Sequence, residues 1–321
     1  MSSPGSSPAE PDLSVVVPVF NEEESLPILQ REIVAALEGA REGFEIVYVD
    51  DGSTDRTPHV LGELAKGDAR VRRVRLRRNF GQTAALAAGS DLARGETIVT
   101  IDADLQNDPV DIPRLLERLR EGADVVSGWR RRRRDAFLAR RLPSLVANRL
   151  LRAITGIPIH DSGCTLKAYR AAVLRRLPLY AEMHRFLPVL ATLSGARVSE
   201  LEVGHRPRRF GHSKYGITRA LRVVLDMMTV KMLVQFAARP LHWFGIVGAP
   251  FLGFSVLLLA FVFLGWGERF SLGTVVYPAI AVLLLLAAVD LILLGLLAEL
   301  AVRAGSRPGE RGIGGVRTEV R

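Results

Sequence analysis

The stretch TIDADLQNDP, Thr100 to Pro109, decides how this chain is expected to fold, because an apolar run ends there in two aspartates one residue apart. Such an ending is typical of a buried strand that stops at a polar edge of a sheet. Two neighbouring carboxylates repel each other unless a cation lies between them. A hard divalent ion, Mg²⁺ or Mn²⁺, is held by one or two carboxylates, with water and phosphate oxygens completing its shell. Asp102 and Asp104 are therefore candidate metal ligands, although helix capping is an alternative role, which we assign to Asp108.

Five short apolar runs occur in the first 130 residues, separated by segments of helical length: LSVVVPV, FEIVYVD, VRRVRL, ETIVTID and ADVVSG. Strands of this kind predict a parallel sheet covered on both faces, and hence an α/β fold. Ligands of open α/β sheets bind at the carboxyl ends of the strands. The segments at four of these ends carry acids, amides and glycines, so we expect a polar site there: PVFNEEESL, VDDGSTD, RRNFGQTAALAAG and DADLQNDP.

Asp50 and Asp51 end the second of these runs. Carboxylates at this position can accept hydrogen bonds from the N–H groups of a nucleobase or from ribose hydroxyls. Two acidic clusters on neighbouring strand ends fit a nucleotide that lies across the edge of the sheet, with its base at one end and its diphosphate at the other. The next three polar residues, Ser53, Thr54 and Asp55, fit helix capping better.

The C-terminal part of the chain contains two long apolar runs. No Asp, Glu, Lys or Arg occurs from Pro240 to Gly267. At about 1.5 Å per helical residue, this length exceeds a hydrocarbon core of roughly 30 Å. A second run, from Ser271 to Ala298, contains one charged residue, Asp290. No soluble helix needs apolar residues on every face for this length, so the runs predict a transmembrane helical hairpin, and we expect Asp290 to make a contact within it.

The composition of the chain limits which chemistry the protein can carry out and where in the cell it is expected. The chain has 321 residues, a net charge of +9 and one cysteine, Cys164, which excludes an internal disulfide and a cysteine-based zinc cluster. Arginines crowd the segment before the first apolar run and the tail after the second, so the positive-inside rule predicts that the main domain and both termini are cytoplasmic. The leader MSSPGSSPAE lacks the basic and apolar regions of a signal peptide and is expected to be disordered.

Seven motifs occur in order along the chain, before the two apolar runs: LSVVVPVFNEEESL, YVDDGSTD, NFGQTAALAAG, DADLQNDP, DSGCTLKAYR, HRFLP and RPRRFGHSKYG. From about Leu13 to Arg303 the sequence resembles family-2 glycosyltransferases of the polyprenyl-phosphate branch, which includes dolichyl-phosphate mannose synthase and bacterial undecaprenyl-phosphate sugar transferases. The resemblance implies a GT-A fold and an enzyme that transfers a sugar, with inversion, from a UDP- or GDP-linked sugar to a polyprenyl phosphate. It also implies a position at the cytoplasmic face of the plasma (inner) membrane. Members of this branch often assemble as homo-oligomers through their membrane-proximal helices, and the oligomeric state of this chain stays open.

On this basis we divide the chain into five segments. These are a disordered leader (1–11), a cytosolic GT-A catalytic domain (12–205), an acceptor loop with membrane-proximal amphipathic helices (206–239), a transmembrane hairpin (240–303, with spans at about 241–266 and 273–298) and a basic cytosolic tail (304–321). Between residues 130 and 238 the pattern itself predicts short amphipathic helices, one strand in ARVSELEVG and two polar loops, HDSGCTLKAYR and HRPRRFGHSKYG.

The resemblance assigns roles on the donor side to individual residues. The nucleotide-sugar pocket is expected to contain Pro18, Phe20, Glu22, Asp50, Asp51, Gln82 and Asp102. The metal is expected at Asp102, Asp104 and Gln106, and Asp104 is also counted as catalytic. The small residues after Asn79 would let a helix approach the donor, although an ordinary well-packed helix explains them equally.

The acceptor side requires cations, because a lipid phosphate must be held in line with the anomeric carbon. The candidates are Arg130, Arg140, Ser144, Arg208 and Lys214. The basic run 130–134 is also explained by attraction of a loop to anionic headgroups, so only Arg130 is assigned from it. Asp161 and Arg208 are the expected catalytic residues here, with Asp161 nearest the nucleophile. Hydrogen bonding of a loop carboxylate to backbone amides is the alternative for Asp161.

Three other classes of protein fit less well. A processive polysaccharide synthase uses the same donor fold, but it carries a Q-x-x-R-W signature where this chain has MHRFLP, and usually more spans. A non-catalytic membrane scaffold with a nucleotide-binding domain would have broken acidic motifs, whereas these are intact. Binding to nucleic acid would need aromatic residues among the arginines, and the run 130–134 has only Trp129 beside it. The identities of the sugar and the nucleotide stay open.

Overall fold

The structure is a computed structural model that describes residues 11–39, 43–131, 149, 152, 156–157, 159–177, 179, 183–207, 209–210, 239–265, 273–305 and 319–320. The chain divides into two compact units. The first comprises Met1–Asp226 with Ile313–Arg321, and the second comprises Met227–Gly312. Most of the predicted leader, acceptor segment and basic tail lies outside the described residues, so their boundaries stay predictions.

The described part of the first unit contains eight strands and six short helices. The strands are β1 (Leu13–Val19), β2 (Phe44–Asp50), β3 (Val71–Arg75), β4 (Thr97–Thr100), β5 (Val125–Trp129), β6 (Lys167–Arg170), β7 (Val198–Glu202) and β8 (Glu319–Val320). The helices are α1 (Leu26–Leu37), α2 (Thr57–Gly67), α3 (Gln82–Leu92), α4 (Ile112–Arg120), α5 (Ala171–Leu174) and α6 (Leu187–Leu193). Two 3₁₀ turns precede α4 and α6, at Pro109–Asp111 and Met183–Phe186.

All eight strands form one mixed sheet in the order β7-β5-β6-β4-β1-β2-β3-β8. The neighbours β4, β1, β2 and β3 are parallel, as the apolar runs predict. In contrast, β6 is antiparallel to both β4 and β5, while β7 is parallel to β5. The polar loop predicted for the β6 segment is therefore wrong. Its sequence, KAYR, has only two apolar side chains, and this pattern is too short to indicate a strand.

The strand order places the predicted polar site. Because β4, β1, β2 and β3 are parallel and adjacent, their carboxyl ends meet at one edge of the sheet. β4 ends at Thr100, so Asp102 and Asp104 lie in the loop beyond the strand. Asp108 caps the following turn as predicted, because its side chain accepts a hydrogen bond from the Val110 N–H at 3.2 Å.

The small residues of α3 have a packing role. The helix lies against β1 and β2, and a Cβ atom at Gly89 would come within 2.4 Å of Val16 Cγ1 and 2.9 Å of Val49 Cγ2. A larger residue would push the helix away from the sheet. Gly89 thus favours close helix–sheet packing, one of the two explanations that the sequence left open for this run.

Two long apolar helices, α7 (Pro240–Phe263) and α8 (Gly273–Gly305), make up the described part of the second unit. Both are long and apolar enough to cross a membrane, over Pro240–Phe263 and Val275–Ala301. The Ser255 hydroxyl donates a hydrogen bond to the Ala281 carbonyl oxygen at 2.8 Å. The contact includes buried small residues spaced by seven: Gly248 and Ser255 on α7, and Ala281, Ala288 and Gly295 on α8. Small residues allow close packing of helices in a bilayer.

Asp290 lies away from this interface. It is exposed and follows Ala288 by two residues, which places it about 160° around the helix axis from the face that contacts α7. It has no hydrogen bond or ion pair to any residue that the structure describes. The predicted hairpin contact is therefore wrong, because Asp290 is out of phase with the seven-residue spacing of the small residues.

Candidate active site

The loops after β1 and β2 are joined by hydrogen bonds. The Asn21 N–H donates to Ser53 Oγ at 2.9 Å, and the Thr54 N–H donates to Asn21 Oδ1 at 2.8 Å. Asn21 has a φ of 56°, in the left-handed region that asparagine tolerates. The two loops form one continuous wall at the end of the sheet. The capping role predicted for Ser53 and Thr54 is wrong, because both bond to the neighbouring loop.

The start of α2 is fixed to the same wall. Asp55 Oδ1 accepts a hydrogen bond from the N–H of Thr57, the first residue of α2, at 3.0 Å, although the N-cap position itself is Arg56. Thr57 Oγ1 accepts one from the backbone N–H of Glu22 at 2.9 Å. The Glu22 carboxylate in turn accepts from the Ser25 hydroxyl at 2.8 Å. Glu22, a predicted donor-pocket residue, is thus held through both its backbone and its side chain.

Asp51 links the end of β2 to the start of α3. Its two carboxylate oxygens accept hydrogen bonds from the backbone N–H groups of Phe80 and Gly81, both at 2.8 Å. Burial raises the pKa of Asp51 above its ordinary value, against the lowering effect of these two N–H groups. Asp51 therefore fixes the loop between β3 and α3, and only its remaining lone pairs are available to a ligand.

Asp50 lies beside it and is also buried. Its Oδ1 accepts a hydrogen bond from the Ser53 N–H at 2.8 Å, and its Oδ2 lies 3.3 Å from Arg75 Nε. A cavity of about 450 Å³ opens next to Asp50, between α2 and β3, and three arginines line it: Arg73, Arg75 and Arg77. This basic cavity adjoins the carboxylate that the sequence predicts for the nucleoside.

Gly52 brings the exits of β2 and β3 into contact. Its φ is 71°, and a Cβ atom there would lie 2.5 Å from the carbonyl carbon of Arg78 and 2.7 Å from the backbone nitrogen of Asn79. Only glycine combines this backbone conformation with such a close approach. The sequence DDG thus determines where the loop leading to α3, and to Gln82, can lie.

Asp102 and Asp104 are both partly exposed at the sheet edge. Gln82 Nε2 donates a hydrogen bond to Asp102 Oδ1 at 2.6 Å, and the Gln106 N–H donates to Asp104 Oδ1 at 3.2 Å. Leu105 has a φ of 61°, a conformation that is rare outside glycine and common in functional loops. Burial, together with the charge of Asp104, raises the pKa of Asp102 to about 6.

These residues fit a hard divalent cation. Burial first, and then the negative charge of Asp104, raise the pKa of Asp102, and a bound cation would favour the ionised carboxylate against both effects. Gln106 follows Asp104 by two residues and is partly exposed. Within the described ranges, no group of three or more His, Cys, Asp or Glu residues could hold a metal by itself. The site therefore suits a metal that takes one or two carboxylates from the protein and its other ligands from a phosphate.

Arg130, which follows β5, is paired with Asp161. Arg130 Nε donates to Asp161 Oδ2 at 2.7 Å, and Nη2 donates to Oδ1 at 3.0 Å. The side chains are only 10% and 4% exposed. Glu200 of β7 holds the loop that carries Asp161, since its Oε1 accepts from the N–H groups of His160 at 2.8 Å and Asp161 at 3.2 Å. The sequence predicts separate roles for Arg130 and Asp161, whereas the structure joins them in one ion pair.

A buried lysine supports the same loop. Lys167 is 2% exposed, and its Nζ donates to the backbone carbonyl oxygens of Ser162, at 3.3 Å, and of Cys164. Burial lowers the pKa of Lys167 below its ordinary value. The Thr165 carbonyl oxygen accepts from the Thr100 hydroxyl at 2.6 Å, which ties the loop to β4. Lys167 was not predicted as a site residue, although a lysine between apolar residues in TLKAYR is a signal that could have indicated it.

Two further contacts could not be found from local patterns. His184 Nδ1 lies 2.7 Å from Thr83 Oγ1, which ties the HRFLP motif to α3. Arg206 pairs with Glu32 at 2.8 Å and with Asp108 at 2.6 Å, which ties the segment after β7 to α1 and to the loop after β4. Each contact joins segments that are far apart in the chain, so only the fold brings the partners together.

The remaining predicted residues divide into two groups. Pro18, Phe20 and Gln82 are partly exposed at the strand exits, in the region where the donor is expected. The second group lies outside the described residues, so its acceptor role stays a prediction from sequence: Arg140, Ser144, Arg208 and Lys214.

Comparison with known proteins identifies the family. Residues 14–177 match the family described as Glycosyl transferase family 2. The chain is 43% identical over 300 residues to a dodecaprenyl-phosphate galacturonate synthase of Rhizobium johnstonii, with 91% of this chain and 88% of that protein covered. It is 40% identical over 288 residues to an undecaprenyl-phosphate 4-deoxy-4-formamido-L-arabinose transferase of Pseudomonas paraeruginosa, with 89% and 84% covered. The chain therefore belongs to glycosyl transferase family 2. These two relatives are polyprenyl-phosphate glycosyltransferases.

Solved structures confirm the predicted GT-A-type fold. Glucosyl-3-phosphoglycerate synthase from Mycobacterium tuberculosis, in complex with Mn²⁺, UDP-glucose and phosphoglyceric acid, is similar with a TM-score of 0.54 and 22% sequence identity. The similarity covers 71% of this chain and 82% of that chain.

Proposed function

We propose that this protein transfers a single sugar from a nucleotide diphosphate sugar to a polyprenyl monophosphate. The observation that carries the proposal is the similarity, along 91% and 89% of the chain, to two enzymes named for a dodecaprenyl and an undecaprenyl phosphate. The acidic strand exits supply the donor site that such an enzyme needs. The two relatives are named for different sugars, so the proposal specifies the acceptor class and leaves the sugar to experiment.

The donor, linked to UDP or GDP, is proposed to lie across the exits of β2, β1 and β4. Its base would lie near Asp50 and Asp51, and its diphosphate near Asp102 and Asp104. Two contacts support a shared site: Asp51 holds the loop before α3, and Gln82, the first residue of that helix, bonds to Asp102. One connected set of hydrogen bonds thus runs between the two proposed ends of the nucleotide.

Asp102, Asp104 and Gln106 would hold the metal, Mg²⁺ or Mn²⁺, which would neutralise the departing diphosphate. Gln82 keeps Asp102 oriented through its hydrogen bond of 2.6 Å. The reaction is a single displacement. A phosphate oxygen of the lipid bonds to the anomeric carbon while the bond from that carbon to the diphosphate oxygen breaks, which inverts the configuration. A lipid phosphate is already anionic at pH 7, so the site needs little help from a general base.

The pair of Arg130 and Asp161 is proposed to orient the acceptor. Asp161 engages two of the five N–H donors of the guanidinium, which fixes its position and leaves the others for a phosphate oxygen. Asp161 then acts through Arg130 and does not remove a proton. From sequence, four residues complete the proposed acceptor site: Arg140, Ser144, Arg208 and Lys214.

The two apolar helices are proposed to anchor the enzyme in the plasma (inner) membrane. The arginines that flank them place the catalytic unit and both termini in the cytoplasm by the positive-inside rule. A membrane anchor suits an enzyme whose acceptor is itself a membrane lipid.

Membranes that contain the protein test this proposal when they are incubated with undecaprenyl phosphate and a panel of radiolabelled UDP- and GDP-sugars, and the lipid is then extracted. We expect one donor to label the lipid fraction, and Asp104→Asn to remove that label at an unchanged protein level. Asp12→Asn, at the opposite end of β1, is the matched control and should label normally. Label that enters protein or a polymer before any lipid would contradict the proposed function.

A further inference from the structure

The loop before β6, residues 161–166, reaches both sides of the proposed site, and we call it the bridge loop. At its first residue, Asp161 accepts two hydrogen bonds from the Arg130 guanidinium, at 2.7 and 3.0 Å. Near its other end, the Thr165 carbonyl oxygen accepts from the hydroxyl of the last residue of β4 at 2.6 Å. Burial raises the pKa of Asp102, and the Thr165 hydroxyl acts in the opposite direction, which places Thr165 beside that carboxylate. The bridge loop therefore connects the acceptor arginine to the donor carboxylates.

Lys167 is the first residue of β6, and its ammonium holds the middle of the bridge loop. Nζ donates to the carbonyl oxygens of Ser162, at 3.3 Å, and of Cys164. In the sheet, Lys167 is paired in register with Thr100 of β4 on one side and with Ser127 of β5 on the other. Lys167 thus lies between the strand that leads to the proposed metal site and the strand that leads to the acceptor arginine.

Burying this ammonium has a cost. Lys167 is 2% exposed, and burial lowers its pKa below the ordinary value. A methionine of similar length would fill the same space without taking a charge out of water. What the ammonium adds, and an apolar side chain does not, is a fixed position for the two carbonyl groups of the bridge loop.

Glu200 of β7 holds the start of the same loop. Its Oε1 accepts hydrogen bonds from the backbone N–H groups of His160 at 2.8 Å and Asp161 at 3.2 Å. The Glu200 side chain is only 14% exposed. Two charged groups of opposite sign, Lys167 and Glu200, therefore fix the backbone on either side of the Asp161 carboxylate.

We propose that Lys167 and Glu200 are positioning residues for the transfer reaction, which act through Asp161 to set the Arg130 guanidinium in line with the donor. The inference rests on the proposed function, in which Arg130 holds the lipid phosphate. The displacement needs the attacking oxygen within about 3–3.5 Å of the anomeric carbon, and a misplacement of about 1 Å costs on the order of a hundredfold in rate. The two residues influence this geometry through the backbone of the bridge loop and touch neither substrate.

Lys167→Met tests the proposal, because methionine keeps the length of the side chain and removes the ammonium. With the full-length protein in detergent, we expect kcat/KM for undecaprenyl phosphate to fall about tenfold to a hundredfold. The Kd of the nucleotide sugar, measured by calorimetry, should be nearly unchanged, since Gln82 holds Asp102 independently. Glu45→Gln, which removes a buried charge near the start of β2, controls for a general loss of stability and should keep the wild-type kcat/KM. An unchanged kcat/KM in Lys167→Met would overturn the proposal.

Glu200→Ala provides a second test, which leaves the buried lysine in place and so stands even where Lys167→Met does not fold. It removes the acceptor of two backbone hydrogen bonds next to Asp161, and we expect the same selective loss in kcat/KM for undecaprenyl phosphate. Glu200→Gln keeps an acceptor oxygen and should retain most of the activity. Wild-type efficiency in Glu200→Ala would contradict the proposed role.

A double-mutant cycle separates positioning from a merely structural role. If Lys167 acts through Asp161, adding Lys167→Met to Asp161→Ala should lower kcat/KM little further, because residues that act through one another are not additive. Losses that multiply would show that the two residues act independently, and would overturn the proposal.

Failure of this inference differs from failure of the proposed function. A wild-type protein that labels no lipid with any donor overturns the proposed function, and this inference with it. A wild-type protein that labels lipid, together with Lys167→Met and Glu200→Ala proteins of the same kcat/KM, overturns the inference alone.

Discussion

The charge on a single carboxylate after β4 should decide whether the enzyme works. Asp104→Asn keeps the size of the side chain and removes its charge, so the site would lose an electrostatic stabiliser of the departing diphosphate. Contributions of that kind are worth roughly 2.7–4 kcal/mol, so we expect the initial rate of lipid labelling to fall about a hundredfold or more. EDTA should reproduce this loss in the wild-type protein, and added Mn²⁺ or Mg²⁺ should reverse it. Full activity of the wild type in EDTA would rule out the metal site.

Glu45 is expected to make the stability of the fold depend on pH. It is buried, and it accepts hydrogen bonds from the Ser14 hydroxyl and the Arg94 N–H, both at 2.7 Å, and from Arg72 Nη1 at 2.9 Å. Burial alone would raise the pKa of Glu45, but these donors bring it below the ordinary value of 4.5. Because the folded-state pKa is lowered, the carboxylate stabilises the fold above pH 4.5, and this contribution is lost as the pH falls through the folded-state pKa.

We therefore expect Glu45→Gln to lower the free energy of unfolding by about 1–3 kcal/mol at pH 7, since a buried charged acceptor is lost. The difference from the wild type should shrink as the pH falls through the lowered folded-state pKa of Glu45. Thermal unfolding of both proteins in the same detergent, measured from pH 7 downward, checks this expectation. A difference that stays constant over the whole range would show that the ionised form of Glu45 has no special role.

At the residue scale, the sequence predicts groups that stand at strand ends and misses groups that meet across the fold. Asp102 and Asp104 follow an apolar run, so their place at the sheet edge is readable. The pairing of Arg130 with Asp161 is not readable, because 31 positions separate the partners and only the sheet brings them together. Ser53 shows the same limit, since helix capping and a bond to a neighbouring loop require the same kind of residue.

The close approach of the loops that follow β2 and β3 depends on one glycine, Gly52. Gly52→Ala would place a methyl group 2.5 Å from the Arg78 carbonyl carbon and force a left-handed φ on alanine. We expect a loss of stability of about 1–3 kcal/mol and weaker nucleotide-sugar binding, because Asp51 and the start of α3 must shift. Gly67→Ala, at the end of α2 with nothing within 4 Å, is the matched control and should change neither property appreciably. Thermal unfolding and calorimetric titration of both variants check the prediction.

At the scale of elements, the apolar runs predict β1 to β5, and the hydropathy of the C-terminal part predicts α7 and α8. The antiparallel strand β6 is not predicted from the sequence, because half of its four residues are charged. One of them, Lys167, is buried by contacts that the sequence does not show. For α3, the sequence shows only that the helix is rich in small residues, and it does not predict how the helix packs. The close approach of Gly89 to Val16 supplies the reason for that composition.

For the whole molecule, acidic residues are proposed to bind the nucleotide-sugar donor, and cationic residues are proposed to bind the lipid-phosphate acceptor. Arg208→Ala and Lys214→Ala should each remove a charge-assisted hydrogen bond to the lipid phosphate, worth about 1.5–3 kcal/mol, or roughly tenfold to a hundredfold in efficiency. The loss should appear as a higher apparent KM for polyprenyl phosphate. Nucleotide binding, measured by calorimetry in detergent, should be nearly unchanged in both variants.

Asp51→Ala provides the comparison for this division. It should weaken nucleotide binding, because the loop before α3 loses both hydrogen bonds to its N–H groups. If Arg208→Ala weakens nucleotide binding as much as Asp51→Ala does, the segment around residue 208 contacts the donor diphosphate, and the proposed separation is wrong.

Mass spectrometry of the lipid product tests whether the protein attaches a single sugar to a polyprenyl monophosphate. Purified protein is supplied with undecaprenyl phosphate, the donor selected by the panel, and Mn²⁺ or Mg²⁺, and the lipid extract is analysed before and after mild acid. We predict a product that is heavier than the acceptor by one glycosyl residue, that mild acid converts back to undecaprenyl phosphate and free sugar, and that is absent with Asp104→Asn. A product with several sugars, a sugar attached through a diphosphate, or transfer that proceeds equally without any lipid phosphate would contradict the account.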